Sequence, residues 1–266
     1  MPHQPRKRFG QNFLQDRGVI ADIVAAIQPL PGERIVEIGP GLGALSRPLL
    51  AILGRLDAIE IDRDLAAKLT AEFSPGLSLH TGDALEFDFA ELGADLRIVG
   101  NLPYNISTPL LFHLARFADR IRDIHVMLQK EIVQRMVAAP GASNFSRLSV
   151  MVQYRFGVEL LIDVPPAAFK PAPKVDSAVV RLIPLRPLPQ AARDEQLFAR
   201  VVAAAFSQRR KTLRNSLSAI LTAADFAALG IAPTARAQEL SVAQFVAIAN
   251  SIAPPGPAAT TSRPSG

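Results

Sequence analysis

The sequence predicts a doubly wound α/β domain of the Rossmann-like type, followed by a small helical domain. Short β-rich runs alternate with helix-length stretches through the first two thirds of the 266 residues. This alternation is typical of a parallel sheet covered by helices. The strand candidates are almost continuously apolar, which is expected when helices cover both faces of a sheet. After residue 185 only helical patterns occur.

Five parallel strands are expected in the first domain, at residues 34–38, 56–61, 77–80, 96–99 and 123–128. Helices are predicted around them at residues 19–27, 43–53, 63–73, 108–117 and 130–138. Two later β-rich runs, at 156–164 and 177–184, have only a Pro-rich connection between them. Because no helix separates these runs, we expect an antiparallel hairpin that completes the sheet.

A second domain is predicted after the Pro-rich segment 182–190, which is interpreted as a linker. The first domain is therefore assigned to residues 1–185 and the helical domain to residues 186–253. Helices are expected in the second domain at 195–206, 212–221, 223–229 and 242–252, with Gly230 ending the third. The remaining stretch, 254–266, has the composition of a disordered tail.

The positive charge is concentrated near the two ends of the chain. Residues 1–185 contain 20 basic and 20 acidic side chains, whereas residues 186–266 contain nine basic and four acidic ones. An isolated basic run is usually a solvated surface, but two clusters flank the first domain and predict contact with a nucleic-acid backbone. These RNA-binding candidates are Arg6, Lys7 and Arg8 in the basic segment 1–17, and Arg209, Arg210, Lys211 and Arg214.

Composition excludes several classes of function. The chain has no Cys, which excludes a disulfide framework, a Cys-ligated metal and thiol chemistry. Its four His residues lack metal-ligand spacing, so no metal is expected. The N-terminus does not resemble a secretory signal, and no run approaches the roughly 20 apolar residues of a membrane span. We therefore expect a cytoplasmic protein with no membrane partner.

A glycine-rich turn after the first strand predicts an adenosine-containing ligand. The turn contains Gly39 and Gly41, which let the backbone approach a ligand at the start of the next helix. Glu60 ends the second strand, where a carboxylate can bind ribose hydroxyls. Asp83 follows the third strand and can accept a hydrogen bond from the adenine amine. The three strand ends together predict one adenosine pocket.

The same pattern also satisfies the dinucleotide fingerprint, so a nicotinamide dehydrogenase is an alternative. Glu37, however, would place a negative charge beside a pyrophosphate. S-adenosylmethionine has an adenosine, no phosphate and a positively charged sulfonium, so its chemistry fits an acidic pocket better. The sequence also shows no machinery for hydride transfer. We therefore expect S-adenosylmethionine as the cofactor.

The tetrapeptide Asn101-Leu102-Pro103-Tyr104 follows the fourth strand and is the most specific signal in the chain. The Asn101 side-chain carbonyl and the Leu102 main-chain carbonyl can accept the two hydrogens of an adenine amine, which frees its lone pair for attack. Pro103 fixes the local backbone, and Tyr104 offers an aromatic face on which a base can stack. The tetrapeptide predicts methyl transfer to an adenine amine without a strong general base.

The chain resembles the small-subunit (16S) ribosomal RNA adenine dimethyltransferases, the KsgA family, from residue 7 to about residue 250. The segments that carry the resemblance are KRFGQNFL (7–14), VEIGPGLG (36–43), EIDRDL (60–65), GNLPYNISTPL (100–110), MLQKE (127–131), RLSVM (147–151), APKVDSAVV (172–180) and RRKTLRNSL (209–217).

This resemblance implies a class I methyltransferase that dimethylates two adjacent adenosines near the 3′ end of 16S rRNA, within the immature small subunit. We also expect the protein to be a monomer. Phe169 would be the second face that sandwiches the target base, although it would serve equally well as an anchor for a Pro-rich loop. The implied cofactor pocket contains Asn12, Leu14, Gly39, Gly41, Glu60, Asp83 and Asn101.

Two alternatives share the tetrapeptide or the fold. One is a large-subunit rRNA adenine methyltransferase of the macrolide-resistance type, from which the match through residues 209–217 distinguishes the chain. The other is a ribosome-assembly factor in which catalysis is secondary or lost. The presence of Gly39, Glu60, Asp83 and Asn101 favours retained activity.

Overall fold

The computed structural model describes residues 11–208 and 210–254. Their strands are Phe13–Leu14 (β1), Ile35–Ile38 (β2), Leu56–Glu60 (β3), Leu77–Thr81 (β4), Leu96–Asn101 (β5), Ile121–Gln129 (β6), Phe156–Val164 (β7), Phe169–Lys170 (β8) and Ser177–Pro184 (β9). Their α-helices are Arg17–Ile27 (α1), Ser46–Leu53 (α2), Arg63–Phe73 (α3), Ser107–Ala115 (α4), Lys130–Met136 (α5), Arg147–Arg155 (α6), Glu195–Ala205 (α7), Leu213–Ser216 (α8), Ala223–Ala228 (α9) and Val242–Ile252 (α10).

Seven strands form one mostly parallel sheet in the order β4-β3-β2-β5-β6-β9-β7. The strands from β4 to β6 pair in parallel, and β9 runs antiparallel to both β6 and β7. The predicted doubly wound fold and its antiparallel end are therefore confirmed. The chain winds from β2 outwards to β3 and β4, then returns to β5 on the other side, which makes the β2–β5 boundary the switch point of the sheet.

Several predicted helix boundaries are wrong. The helix expected from residue 43 begins at Ser46, because Pro48 has no N–H for a helix interior and so falls in the first turn. The helix expected over 212–221 is only α8, Leu213–Ser216. The N–H groups of Leu213 and Arg214, which lie in the first turn, donate to Ala235 and Pro233, and residues 218–220 form a turn in place of further helix. The helix expected over 130–138 ends at Met136.

The described chain divides into two compact units. The first contains the chain up to Val137 together with Arg155–Arg186, and the second contains Ala138–Tyr154 together with the chain from Pro187. The sequence analysis placed 138–154 in the first domain, and this assignment differs from the structure. Phe145 and Tyr154 are buried in the same core as Phe198, and the rings of Tyr154 and Phe198 are 4.5 Å apart.

In the described part of the chain, every helix is too short or too polar to cross a lipid bilayer. Arg6, Lys7, Arg8, Arg209 and most of the predicted tail lie outside the described residues.

A buried ionic network holds the amino end of β5. Arg97 is 6% exposed, and its Nε lies 3.0 Å from Asp123 Oδ1 while its Nη1 lies 2.6 Å from Glu33 Oε2. Its guanidinium also donates to the carbonyls of Ile27 and Gln28 at the end of α1. These carbonyls have no partner within the helix, so Arg97 satisfies helix-end acceptors while it joins β5 to β6.

The network also lowers the pKa values of its acids. Burial acts to raise the pKa of Asp123, but the nearby His125 and the guanidinium of Arg97 outweigh it. Burial likewise opposes the lowered pKa of Glu33, which hydrogen bonds from the Leu30 N–H and Arg97 produce. Because both pKa values fall on folding, their stabilisation is complete only above about pH 5, where both groups are also ionised in the unfolded chain, and it is lost on acidification below that.

We predict that Arg97→Met lowers the free energy of unfolding by about 3–5 kcal/mol, because it removes the guanidinium partner of the largely buried Asp123 and the donor to the Ile27 and Gln28 carbonyls. The matched control is Arg122→Met at the exposed edge of the same network, where Arg122 Nη1 lies 2.5 Å from Glu33. Screening by water limits that loss to about 1 kcal/mol or less. Chemical denaturation at pH 7 measures both values, and equal losses for the two variants would contradict this account.

Candidate active site

A cavity with a volume of about 320 Å³ opens at the carboxyl ends of the parallel strands. Four neighbouring strands, β4, β3, β2 and β5, end at its wall. This is the position at which open α/β sheets bind ligands, beside the switch point. The described residues that line the cavity are 11–14, 37–42, 44–45, 59–61, 65, 82–84 and 101–106.

The glycines of the sequence motifs bring two strands close together at this wall. Gly39 has φ of +67°, a conformation that other residues rarely adopt, where the chain leaves β2. A Cβ on Gly100 in β5 would lie 2.4 Å from the Ile38 carbonyl oxygen, so only glycine fits. The close approach of β5 to β2 therefore carries Asn101 to the edge of the glycine-rich turn.

The lining is acidic. Glu37, Glu60 and Asp83 all border the cavity, and its described lining residues include no Lys, Arg or His. A pyrophosphate would meet three carboxylates and no counter-charge, whereas a cationic ligand would be stabilised. The acidic lining therefore fits S-adenosylmethionine and does not fit a nicotinamide dinucleotide.

Glu60 is fixed by the main chain on both of its oxygens. The Gly41 N–H donates to Oε2 at 3.2 Å, and the Asp62 N–H donates to Oε1 at 2.9 Å. Burial raises the pKa of Glu60 above its usual value, and these two hydrogen bonds oppose that shift. Asp83 accepts from the Leu85 N–H at 2.9 Å through Oδ1. Each carboxylate keeps lone pairs that can accept hydrogen bonds from a ligand. The predicted partners are ribose hydroxyls for Glu60 and the adenine amine for Asp83.

Glu37 is 2% exposed, and its Oε2 accepts a hydrogen bond from Ser46 Oγ at 2.6 Å. Burial raises the pKa of Glu37 to about 7, the hydrogen bond from Ser46 opposes the rise, and the charge of Glu60 adds to it. The carboxyl group is therefore poised to ionise near neutral pH when a cation arrives.

Asn101 and Leu102 place two acceptors at the cavity. The Asn101 Nδ2 donates to the main-chain carbonyl of Asn12 at 3.0 Å, which fixes the orientation of the side-chain amide. No residue in the described ranges donates to Asn101 Oδ1 or to the Leu102 carbonyl. Both oxygens therefore remain able to accept hydrogen bonds from a substrate amine.

The turn that carries Tyr104 is held at two points. The Pro103 carbonyl accepts from Ser107 Oγ at 3.0 Å and from the Ile106 N–H at 3.2 Å. At the other end, the Tyr104 hydroxyl shares a 2.7 Å hydrogen bond with Ser177 Oγ. Burial raises the pKa of Tyr104, so its hydroxyl stays protonated at neutral pH. Tyr104 therefore lines the cavity as a neutral phenol and is not a base.

The segment 11–14 closes one side of the cavity. Leu14 in β1 pairs with Phe169 in β8, and both side chains are about 5% exposed in one apolar cluster. Phe169 is not among the residues that line the cavity. Its place is that of an anchor for the Pro-rich loop, and its stacking on the target base stays a prediction.

Several residues of the site were absent from the sequence analysis. Ser46 and Ser177 contact Glu37 and Tyr104 across the fold, and no spacing in the sequence signals such pairs. Ile61 and Leu65 add apolar wall next to Glu60. An apolar residue directly after the strand-end acid could have identified Ile61.

The basic cluster of the second unit is exposed where the structure describes it. Arg210, Lys211 and Arg214 are all exposed, and none forms an ion pair with an acidic residue in the described ranges. Thr212 in the same run forms an isolated bridge with Arg236. The three side chains are therefore presented to solvent by a fixed backbone.

Comparison with known proteins agrees with this geometry. A family model described as ribosomal RNA adenine dimethylase matches residues 2–254. A ribosomal RNA small subunit methyltransferase A from Aromatoleum aromaticum is 62% identical over 258 residues, which cover 97% of each chain.

Two solved structures are similar over most of the chain. A dimethyladenosine transferase from Plasmodium falciparum has a TM-score of 0.73 at 26% identity, covering 89% of this chain and 95% of its own. The 23S rRNA methyltransferase ErmE has a TM-score of 0.70 at 25% identity, covering 91% of this chain and 99% of its own. Sequence, fold and site geometry thus agree, and the chain belongs to the ribosomal RNA adenine dimethylase family.

Proposed function

We propose that the protein transfers methyl groups from S-adenosylmethionine to the exocyclic amines of two adjacent adenosines near the 3′ end of 16S rRNA. The observation that carries this proposal is the pair of acceptors, Asn101 Oδ1 and the Leu102 carbonyl, at an acidic, glycine-lined cavity. The small-subunit relative at 62% identity supports the choice of 16S rRNA.

Residues at the carboxyl edge of the sheet each bind a different part of the cofactor. Glu60 is placed for ribose hydroxyls, Asp83 for the adenine amine, and the Gly39 turn for close backbone contact. Glu37 supplies negative charge for the cationic part of the ligand. When bound, S-adenosylmethionine supplies an electrophilic methyl group on a positively charged sulfur.

The proposed reaction depends on activation of the target amine and not on a strong general base. The Asn101 side-chain oxygen and the Leu102 carbonyl accept hydrogen bonds from the two N–H groups of the target amine. These bonds direct the nitrogen lone pair away from the purine ring. The amine nitrogen becomes acidic as it is alkylated, so its proton leaves to water. Alignment and polarisation of the amine are the sources of rate enhancement. Tyr104 holds the target adenine by stacking. The adenine must first be unstacked from its neighbours in the RNA.

The basic clusters are proposed to bind the rRNA backbone. We infer that Arg210, Lys211 and Arg214 contact phosphates, together with Arg209 and the N-terminal Arg6, Lys7 and Arg8. The proposed substrate is the immature small subunit, the proposed state is a monomer, and the proposed location is the cytoplasm. The segment 209–217 supports this substrate over large-subunit RNA, the alternative raised by the similarity to ErmE.

The direct test uses labelled S-adenosylmethionine and small subunits that lack these methyl groups. We expect dimethyladenosine at two adjacent positions of 16S rRNA and none in 23S rRNA within large subunits. Digestion to nucleosides and mapping of the label measure both outcomes. Label confined to 23S rRNA would overturn the proposed substrate.

Asn101→Ala should lower the rate of methyl transfer by about 100-fold or more, because it removes one of the two acceptors that polarise the amine. Single-turnover rates on small subunits measure the loss. Thermal melting controls for the hydrogen bond to Asn12, which the same variant breaks. A folded Asn101→Ala protein with normal turnover would refute the account of amine activation.

Binding of S-adenosylmethionine should tighten between pH 6 and pH 8. Glu37, with its pKa near 7, is neutral below that pH and anionic above it, and only the anion attracts the cationic cofactor. The affinity falls by up to about tenfold per pH unit on the acid side of this pKa. Titration calorimetry should show a much flatter profile for Glu37→Gln. The exposed Glu91→Gln is the control, and an unchanged profile for Glu37→Gln would contradict the assignment.

Replacing Arg210, Lys211 and Arg214 together by Gln should weaken RNA binding and reduce its salt dependence. Loss of three phosphate contacts lowers the slope of log K against log salt by about 2. The affinity for S-adenosylmethionine should not change. A triple Gln variant at Arg55, Lys68 and Arg116, also exposed, is the matched control. Equal slopes for the two triple variants would show that the cluster is only solvated.

A further inference from the structure

We propose that Ser177 is a positioning residue for methyl transfer, acting through Tyr104. This inference rests on the proposed function, because it assigns Tyr104 to the target base. Ser177 lies 73 residues away in the chain, outside the tetrapeptide and outside the lining of the cavity. Its contact with Tyr104 links the base site to the antiparallel part of the sheet.

Ser177 is a rigid point of the fold. It is completely buried and is the first residue of β9. Its backbone is in register with Gln129 of β6 on one side and Val164 of β7 on the other. Just before it, the Asp176 carbonyl accepts from the Lys130 N–H at 2.9 Å. The backbone of Ser177 is therefore fixed by strand pairing on both sides, which limits the positions that its hydroxyl can take.

Tyr104, in contrast, lies on an irregular turn between β5 and α4. Its backbone is anchored through the Pro103 carbonyl, and within residues 11–208 and 210–254 the far end of its ring has one hydrogen bond, of 2.7 Å, to Ser177. With both ends held, the plane of the ring is set before a base arrives. This preorganisation matters because stacking orients the amine toward the methyl group.

The hydrogen bond between the Tyr104 and Ser177 hydroxyls also gives the two parts of Tyr104 different functions. The hydroxyl is engaged with the sheet, so the ring face is the part left for a base. A phenylalanine would retain the ring and lose only the anchor. Tyr104→Phe and Ser177→Ala thus remove the same hydrogen bond from opposite ends.

The experiment measures kcat and KM for undermethylated small subunits with wild type, Ser177→Ala, Tyr104→Phe and the double variant of the full chain. Each single variant should lower kcat by about 2- to 13-fold, the rate equivalent of one net hydrogen bond. KM for subunits and the affinity for S-adenosylmethionine should stay within twofold. The double variant should be no slower than the slower single variant, since only one interaction is lost.

Ser149→Ala is the control for loss of a buried serine hydroxyl. Ser149 is equally buried, hydrogen bonds with Ser146 in the second unit, and should leave kcat unchanged. If Ser177→Ala does not fold, Tyr104→Phe alone still tests the anchor, because it leaves the sheet intact.

Unchanged kcat in a folded Tyr104→Phe, or losses that multiply in the double variant, would overturn the positioning role. An inactive wild-type enzyme on these subunits would instead refute the proposed function.

Discussion

The site depends on one constraint, the convergence of four parallel strand ends beside the switch point of the sheet. β2 has β3 on one side and β5 on the other, so the chain that leaves β2 crosses open space between them. Glu60 and Asp83 arrive from one side, and Asn101 arrives from the other. Gly100 permits this approach, since a side chain there would collide with the Ile38 carbonyl. Cofactor acceptors and amine acceptors consequently face one cavity.

The electrostatics of that cavity explain why its acids are held so differently. Glu60 receives two main-chain N–H groups, which stabilise its anion despite burial. Glu37 has a neutral hydroxyl as its partner and lies near the charge of Glu60, so its ionisation is costly until a cation is bound. A site with this arrangement favours a cationic ligand, because a positive charge beside Glu37 stabilises the ionised form of its carboxyl group.

Local patterns predicted the strands, the glycine turn and the tetrapeptide, because periodicity and motif spacing are properties of neighbouring residues. They failed where distant contacts decide. Residues 138–154 join the second unit because Phe145 and Tyr154 share a core with Phe198. Ser177 is an ordinary first residue of a strand until the fold brings it to Tyr104. The first turn of α8 likewise donates from Leu213 to Ala235 and from Arg214 to Pro233, and no local pattern signals these contacts.

β5 connects stability and chemistry along a single strand. At its amino end Arg97 ties it to β6, to α1 and to Glu33 through buried charge pairs. At its carboxyl end Asn101 and Leu102 offer oxygens that no described residue occupies. Asn101 is partly exposed at the cavity, so water can satisfy its side-chain oxygen before a ligand binds. The sheet thus brings Asn101 to the cavity with a side-chain oxygen that no described residue occupies.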